Sequence, residues 1–168
     1  MYKKFTFILL FCALSFSGCD LSFNDVFKSS KDEHENVKVI NVLDKQFYND
    51  AHIPGSIQLS VVDVEQIAKK WKKNTTLVVY CSNYMCSASI SVARKLKAMG
   101  FEKVFAYEAG MAGWKQAGLP VDGPAKESYL GLPNEKLSDK KYDVEEISTQ
   151  DLKKLLESEG ILKSQAAA

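Results

Sequence analysis

Leu77-Val78-Val79-Tyr80-Cys81-Ser82-Asn83-Tyr84-Met85-Cys86-Ser87-Ala88-Ser89 changes character at its fifth residue. A run of apolar, β-prone side chains ends on a cysteine; small and polar residues follow, and a helix-forming segment begins. A strand, a loop and a helix in that order form half of a β-α-β unit. In an open α/β sheet, chemistry is placed at the carboxyl end of such a strand, facing a helix N-terminus. Helix dipole and free amides favour an anion there, so a thiol at that position is expected to ionise easily and to act as a nucleophile. Cys81 is therefore the first candidate catalytic residue.

Outward from this stretch the pattern repeats. Residues 37–42 (VKVINV) read as a buried strand, 44–50 as one or two helical turns, and His52-Ile53-Pro54-Gly55-Ser56 as a turn set by Pro and Gly. Residues 57–60 allow a short strand. Val64, Ile67, Ala68 and Trp71 fall at i, i+3, i+4 and i+7, the stripe of an amphipathic helix. The surrounding Lys69, Lys70, Lys72 and Lys73 read as a solvated helix end. Downstream, Val92, Ala93, Leu96 and Met99 give a second helix its core face, with Gly100 as its C-cap. Residues 104–107 form another strand, and Trp114 anchors a short helix stopped by Gly118-Leu119-Pro120. Alternating strands and helices predict an α/β fold with a central parallel sheet flanked by helices.

The chain has 168 residues, 22 basic against 21 acidic, for a net charge of +1. That balance gives no support for nucleic-acid binding. Met1-Tyr2-Lys3-Lys4 is a basic start, and residues 5–16 are apolar but too short to span a bilayer comfortably. Ser17-Gly18-Cys19 follows. This segment resembles the lipobox of bacterial lipoproteins, with Phe16 in place of the usual Leu. The resemblance implies a signal peptide over residues 1–19, lipidation of Cys19, and a membrane-anchored protein of the cell envelope facing the periplasm or exterior. Removing Lys3 and Lys4 would leave 20 basic and 21 acidic residues, or −1. Residues 20–36 are largely polar and charged and read as a tether with a reach of about 55–60 Å. Of four cysteines, only Cys81 and Cys86 then belong to the folded part.

Residues 37–123 carry a second resemblance. The His52–Ser56 turn, the strand ending on Cys81, Ser87-Ala88, Gly100-Phe101, Val104, Gly110, Trp114 and Ala117-Gly118-Leu119-Pro120-Val121 together resemble a single rhodanese domain. The resemblance implies that Cys81 carries a persulfide and that Ser82, Asn83, Tyr84, Met85 and Ser87 surround the substrate, with loop amides turned to the sulfur. It implies a sulfurtransferase acting between a small sulfane-sulfur donor and a thiol acceptor, with no cofactor and no metal. By the same analogy His52 is a structural part of its turn.

The loop departs from the family's usual pattern. Tyr84 stands where many members have Gly, and Cys86 where many have Arg; Asn41 and Leu43 replace an Asp and an Arg common in the first strand's motif. Without the Arg there is no bidentate clamp for an oxyanion such as thiosulfate, and no Lys or Arg replaces it between Cys81 and Ser91. Backbone donors can still stabilise a persulfide. Cys86 reads either as a resolving thiol within disulfide range of Cys81 or as a small buried residue at a helix start. Two alternatives to sulfur transfer therefore stay open: a thiol–disulfide redox protein using Cys81 and Cys86, and an inactive binding module of the same fold.

Residues 124–168 read as a linker followed by a C-terminal amphipathic helix. Ser148-Thr149-Gln150-Asp151 resembles a capping box with Asp in place of Glu, and Leu152, Leu155 and Leu156 form a stripe that ends at Gly160. That stripe is expected to pack on the sheet or on a protein partner.

Overall fold

The computed structural model describes residues 36–136 and 142–163. The expected leader, Cys19 and the tether up to residue 35 lie outside the described residues. Among the described residues no helix is long and apolar enough to cross a membrane.

Side chains alternate across a strand, so the central strand determines what each face of the sheet must bury. In β3 (Thr76–Tyr80), Leu77 and Val79 point to one core, and Val78 and Tyr80 to the other. Both sets are apolar because both faces are covered, the pattern of a buried parallel strand. β1 (Val37–Asn41) lies on one side of β3 and β4 (Lys103–Tyr107) on the other, both parallel to it, with Val39 opposite Val78 and Val78 opposite Phe105. Two strands of two residues complete the sheet. β2 (Ile57–Gln58) flanks β1 and β5 (Glu145–Glu146) flanks β4, giving the order β2-β1-β3-β4-β5, all parallel.

Helix α1 (Lys45–Asp50) leads from β1 into the His52 turn. One face of the sheet is covered by α2 (Val64–Ala68) and α3 (Ala88–Ala98), whose Val64, Ala68, Val92, Ala93 and Leu96 are buried against Ile40, Leu77, Val79 and Val104. The other face is covered by α4 (Gly110–Gln116) and α5 (Thr149–Ser158), through Met111, Trp114, Leu152 and Leu156. The expected α/β class and parallel sheet are present.

Two boundaries differ from the expectation. The helix of Val64 and Ile67 ends at Ala68, before Trp71. Trp71 still packs on this core, edge-on to the Phe101 ring at 6.4 Å. More consequentially, the domain, expected to end at residue 123, takes in the linker and the amphipathic helix, which packs on its sheet, one of the two places expected for it. The Asp50 carboxylate accepts the Lys126 and Glu127 amides at 3.0 Å each. Leu130 is buried, and β5 and α5 supply the last strand and half the cover of one face. The stripe of α5 lies inside its own domain, with Leu152 and Leu156 fully buried. Its start follows the capping pattern: the Ser148 hydroxyl accepts the Asp151 amide at 3.2 Å and donates to the Asp151 carboxylate at 2.7 Å.

Candidate active site

β3 delivers Cys81 to the carboxyl edge of the sheet, and the loop that follows turns over it into α3. The turn is held by local bonds. Asn83 Oδ1 accepts the Met85 amide at 3.1 Å, and the Asn83 carbonyl accepts the Cys86 amide at 3.0 Å. The start of α4 clamps the loop from the neighbouring connection. Met111 N–H donates to the Cys81 carbonyl and Ala112 N–H to the Ser82 carbonyl, each at 2.9 Å. Gly110 makes this approach possible. It has φ +60°, and a β-carbon there would lie 2.6 Å from the Cys81 carbonyl oxygen and 2.7 Å from the Asn83 nitrogen.

Cys81 is fully buried. Its Sγ donates to the Cys86 carbonyl at 3.1 Å and faces the Ser89 hydroxyl at 3.6 Å. The two cysteines are free thiols. The loop's backbone donors are distributed unevenly over this pair. The Ser82 and Ala88 amides favour the anionic form of Cys86, and the Ser89 amide that of Cys81. The Tyr84, Met85 and Cys86 amides are committed elsewhere, to Asn134, Asn83 and Asn83.

The electrostatic consequence reverses the expected order of acidity. Pairing with Cys86, followed by burial, pushes the Cys81 thiol well above its ordinary value. Pairing with Cys81, assisted by the Ala88 and Ser82 amides, lowers Cys86 to about 6 despite its partial burial. Cys81 thus rests as a buried thiol whose S–H is turned to the Cys86 carbonyl, and Cys86 is the more acidic of the two. Cys81 was expected to be the readily ionised one.

The remaining loop residues fall into place around the pair. Tyr84 leans toward the opposite face of the sheet and, with Tyr107, Ala109 and residues 146–150, lines a cleft of about 450 Å³. Cys81 and Cys86 belong to the α3 side, so the loop straddles the end of the sheet. Met85 is 79% exposed at the loop's tip, and Ser87 is exposed at the start of α3. The first basic residue after Cys81, Arg94, is paired with Asp143. No loop cation stands in for the missing Arg.

Two site residues were not anticipated. Ser89 supplies Cys81 with a hydroxyl and an amide. Its place was visible in principle, because it opens the buried stripe that continues through Val92, Ala93 and Leu96, and a hydroxyl on a core stripe needs a partner. Asn134 accepts the Tyr84 amide at 3.2 Å and donates to the Ala109 carbonyl at 2.8 Å, tying the loop to the entry of α4. Nothing local in the sequence marks it.

His52 is structural, as its turn implies. Its Nδ1 donates to the Tyr48 carbonyl at 2.8 Å, which fixes the tautomer if neutral. The ring stacks on Tyr48 with centroids 4.0 Å apart, and the backbone bridges to Asp122. The same turn is pinned to the central strand, since the Ile53 amide donates to Tyr80 Oη at 3.0 Å and Ser56 Oγ lies 2.9 Å from it. Burial pushes the Tyr80 phenol up to about 12, so it stays neutral.

A strand-end cysteine under such a loop, in a sheet of this order, accompanies a family match over residues 24–117, described as a rhodanese-like domain and spanning more than half of the chain. The chain belongs to the rhodanese-like domain family. Among curated relatives with this domain, it is 30% identical over 90 residues to the putative sulfur carrier protein YrkF of Bacillus subtilis, covering 54% of this chain and 48% of that one. It is also 30% identical over 79 residues to the thiosulfate sulfurtransferase GlpE of Tolumonas auensis, covering 47% of this chain and 73% of the relative. The chain therefore spans about half the length of the first and about three quarters of the second. The crystal structure of the BH2092 protein from Bacillus halodurans matches at a TM-score of 0.50 and 24% identity, over 61% of this chain and 74% of that one, a likeness of fold. In this rhodanese-like domain the loop carries a second free thiol, Cys86, whose carbonyl accepts the Cys81 S–H.

Proposed function

We propose that this protein is a sulfurtransferase that carries sulfane sulfur as a persulfide on Cys81. The observation that carries the proposal is the position of Cys81, at the carboxyl end of the central strand of a rhodanese-like domain, with the Ser89 hydroxyl and amide turned to its sulfur. Relatives named as a sulfur carrier and as thiosulfate sulfurtransferases support the reaction class. The Cys81 sulfur forms a bond to the sulfane sulfur of a donor, whose leaving group departs with the electron pair. A thiolate acceptor then attacks the outer sulfur and restores Cys81. The two half-reactions give ping-pong kinetics. The neutral loop favours a donor held by backbone and hydroxyl groups over one held by a cation.

Two free thiols on one loop, with Cys81 Sγ 3.1 Å from the Cys86 carbonyl, favour a second reading, a redox protein that cycles between the Cys81/Cys86 dithiol and its disulfide. Intact-mass and peptide mapping of the full chain after thiosulfate or polysulfide treatment separates the two. One sulfur atom added in the wild type and lost in Cys81→Ser supports sulfur transfer. A Cys81–Cys86 disulfide without retained sulfur supports the redox protein, and an unreacted dithiol under every donor leaves a binding module.

The protein is further proposed to be held on the envelope membrane through a lipid on Cys19, facing the periplasm or exterior, as residues 1–19 suggest. Metabolic labelling with a fatty-acid analogue tests this: the label is expected on the wild type and absent from Cys19→Ser. An unlabelled wild type would remove the anchor from the proposal.

A further inference from the structure

Every strand of the sheet is parallel, so the strand starts share one edge and the strand ends, with Cys81, share the other. Charge divides between these edges. The connections that leave the strands, residues 42–44, 59–63, 81–87, 108–109 and 147–148, hold Asp44, Asp63 and Glu108 and no lysine or arginine. The starts of the three central strands, with the segments leading into β3 and β4, hold six lysines: Lys38, Lys69, Lys70, Lys72, Lys73 and Lys103. Contacts across the edge join them. Lys38 Nζ lies 5.5 Å from the centroid of the Trp71 ring and Lys73 Nζ 4.2 Å from that of Phe101, and the two rings meet edge-on. The Glu102 amide donates to the Lys73 carbonyl at 3.1 Å. The opposing charges near them in sequence are Glu102 and, in the tether, Asp32, Glu33 and Glu35. Lys69, Lys70, Lys73 and Lys103 are exposed, and among the described residues none of the four meets a carboxylate, whereas Arg94, Lys95 and Lys136 do. The lysine run after α2 is thus one part of a basic edge that the fold assembles from three strands.

The chain also enters the domain at this edge. The Asn36 carbonyl accepts the Thr76 amide at 2.9 Å, so residues 1–35 join the domain beside the start of β3. We infer that this basic edge docks on a bilayer of anionic phospholipid, with Cys81 facing away from the membrane. This rests on the lipid at Cys19 proposed above and adds the face by which the anchored domain meets the surface. A tethered domain meets its surface at a high effective concentration, so an attraction too weak to recruit free protein is enough to orient an anchored one. Lysines near an anionic surface supply such an attraction, and salt screens it. Trp71, half-buried among the lysines, suits the headgroup level, where an indole has one side apolar and the other wet. Cys81 follows Thr76 by five residues of extended strand, about 17 Å. Lipid at the basic edge therefore leaves the Cys81 loop open to a soluble donor and acceptor.

The test mixes the full chain with vesicles of phosphatidylcholine, alone or with phosphatidylglycerol added. Brief acetylation of amines and peptide mapping then read which lysines the lipid covers. On the phosphatidylglycerol vesicles, acetylation of Lys69, Lys70, Lys73 and Lys103 is expected to slow by about fivefold or more relative to phosphatidylcholine, and high salt should restore it. Lys45 and Lys136, exposed beside the ends of β1 and β5, should react alike on both vesicles. In a Lys69→Glu, Lys70→Glu variant, changed only at exposed positions, the effect of phosphatidylglycerol on Lys103 is expected to vanish. Equal acetylation of the basic edge on both vesicles would overturn the docking, as would slowing at Lys45 and Lys136 as strong as at that edge. The same slowing by inorganic phosphate without vesicles would overturn it in favour of a soluble anion. A chain with no lipid on Cys19 that stays off phosphatidylcholine vesicles would remove the anchor. The docking stands if that chain still binds the phosphatidylglycerol vesicles with the same lysines covered, and falls if it does not.

Discussion

Gly110 lies against the Cys81 carbonyl so closely that a β-carbon on it would sit 2.6 Å from the carbonyl oxygen. The contact is backbone on backbone, between the end of β4's connection and the loop that holds both thiols. Gly110→Ala must therefore displace the loop, and it also places a side chain at φ +60°. A loss of about 1–3 kcal/mol is expected from the backbone conformation alone. Thermal unfolding checks the stability, and sulfur uptake by the folded fraction should fall as well. An unchanged melting temperature would mean that the loop does not rest on α4.

Asn134 holds the same loop from another direction. Asn134→Ala removes the acceptor for the Tyr84 amide and the donor to the Ala109 carbonyl. Leaving such groups unpaired costs about 1–3 kcal/mol each when they are buried, and these are partly so. The sharper readout is local. Hydrogen exchange at the Tyr84 amide should accelerate more than exchange in β3, whose ladder is untouched.

The acidity of Cys86 depends on its neighbour. Pairing with Cys81 lowers the Cys86 thiol to about 6. Cys81→Ala removes that partner and keeps the two amides, so the Cys86 value should rise toward the ordinary thiol value of about 8.5. Iodoacetamide alkylation of Cys86 followed against pH measures the change. At pH 7 the wild type should react mainly at Cys86, with Cys81 slow because it is both buried and protonated. Preferential alkylation of Cys81 would contradict the assigned proton order.

Leu156 tests whether the C-terminal helix belongs to the domain. It is fully buried in the core shared with Trp114 and Tyr107. Leu156→Ala is expected to cost about 2–5 kcal/mol, as for other fully buried leucines. A chain ended after residue 123 would lose β5, α5 and the Tyr107–Thr149 hydrogen bond of 2.8 Å, and should not unfold cooperatively. Denaturant titration distinguishes these outcomes from a dispensable tail.

The residues that made the fold legible share one property: their burial depends on local periodicity. Leu77–Tyr80 could only be a strand covered on both faces, and Val92, Ala93 and Leu96 could only be one side of a helix. β5 left no such mark. Glu145 and Glu146 are exposed and enter the sheet by backbone hydrogen bonding, to which their side chains give no clue. At the site, the same division holds. Cys81 was found from its place at the end of a strand, and the nearness of Cys86 from the loop path that the family resemblance implies. Which sulfur the amides favour as an anion depended on how the loop turns at Asn83. Asn134 reaches Tyr84 from 50 residues away, a distance over which no local pattern speaks.

The two outer strands of the sheet, β2 and β5, pair over two residues each. Such edges offer a second chain almost no row of unpaired backbone on which to add a strand. On β5 the two positions are both exposed glutamates, and Glu146 is paired with Lys136. A second chain seeking to extend this sheet therefore finds only two residues to pair with at either edge.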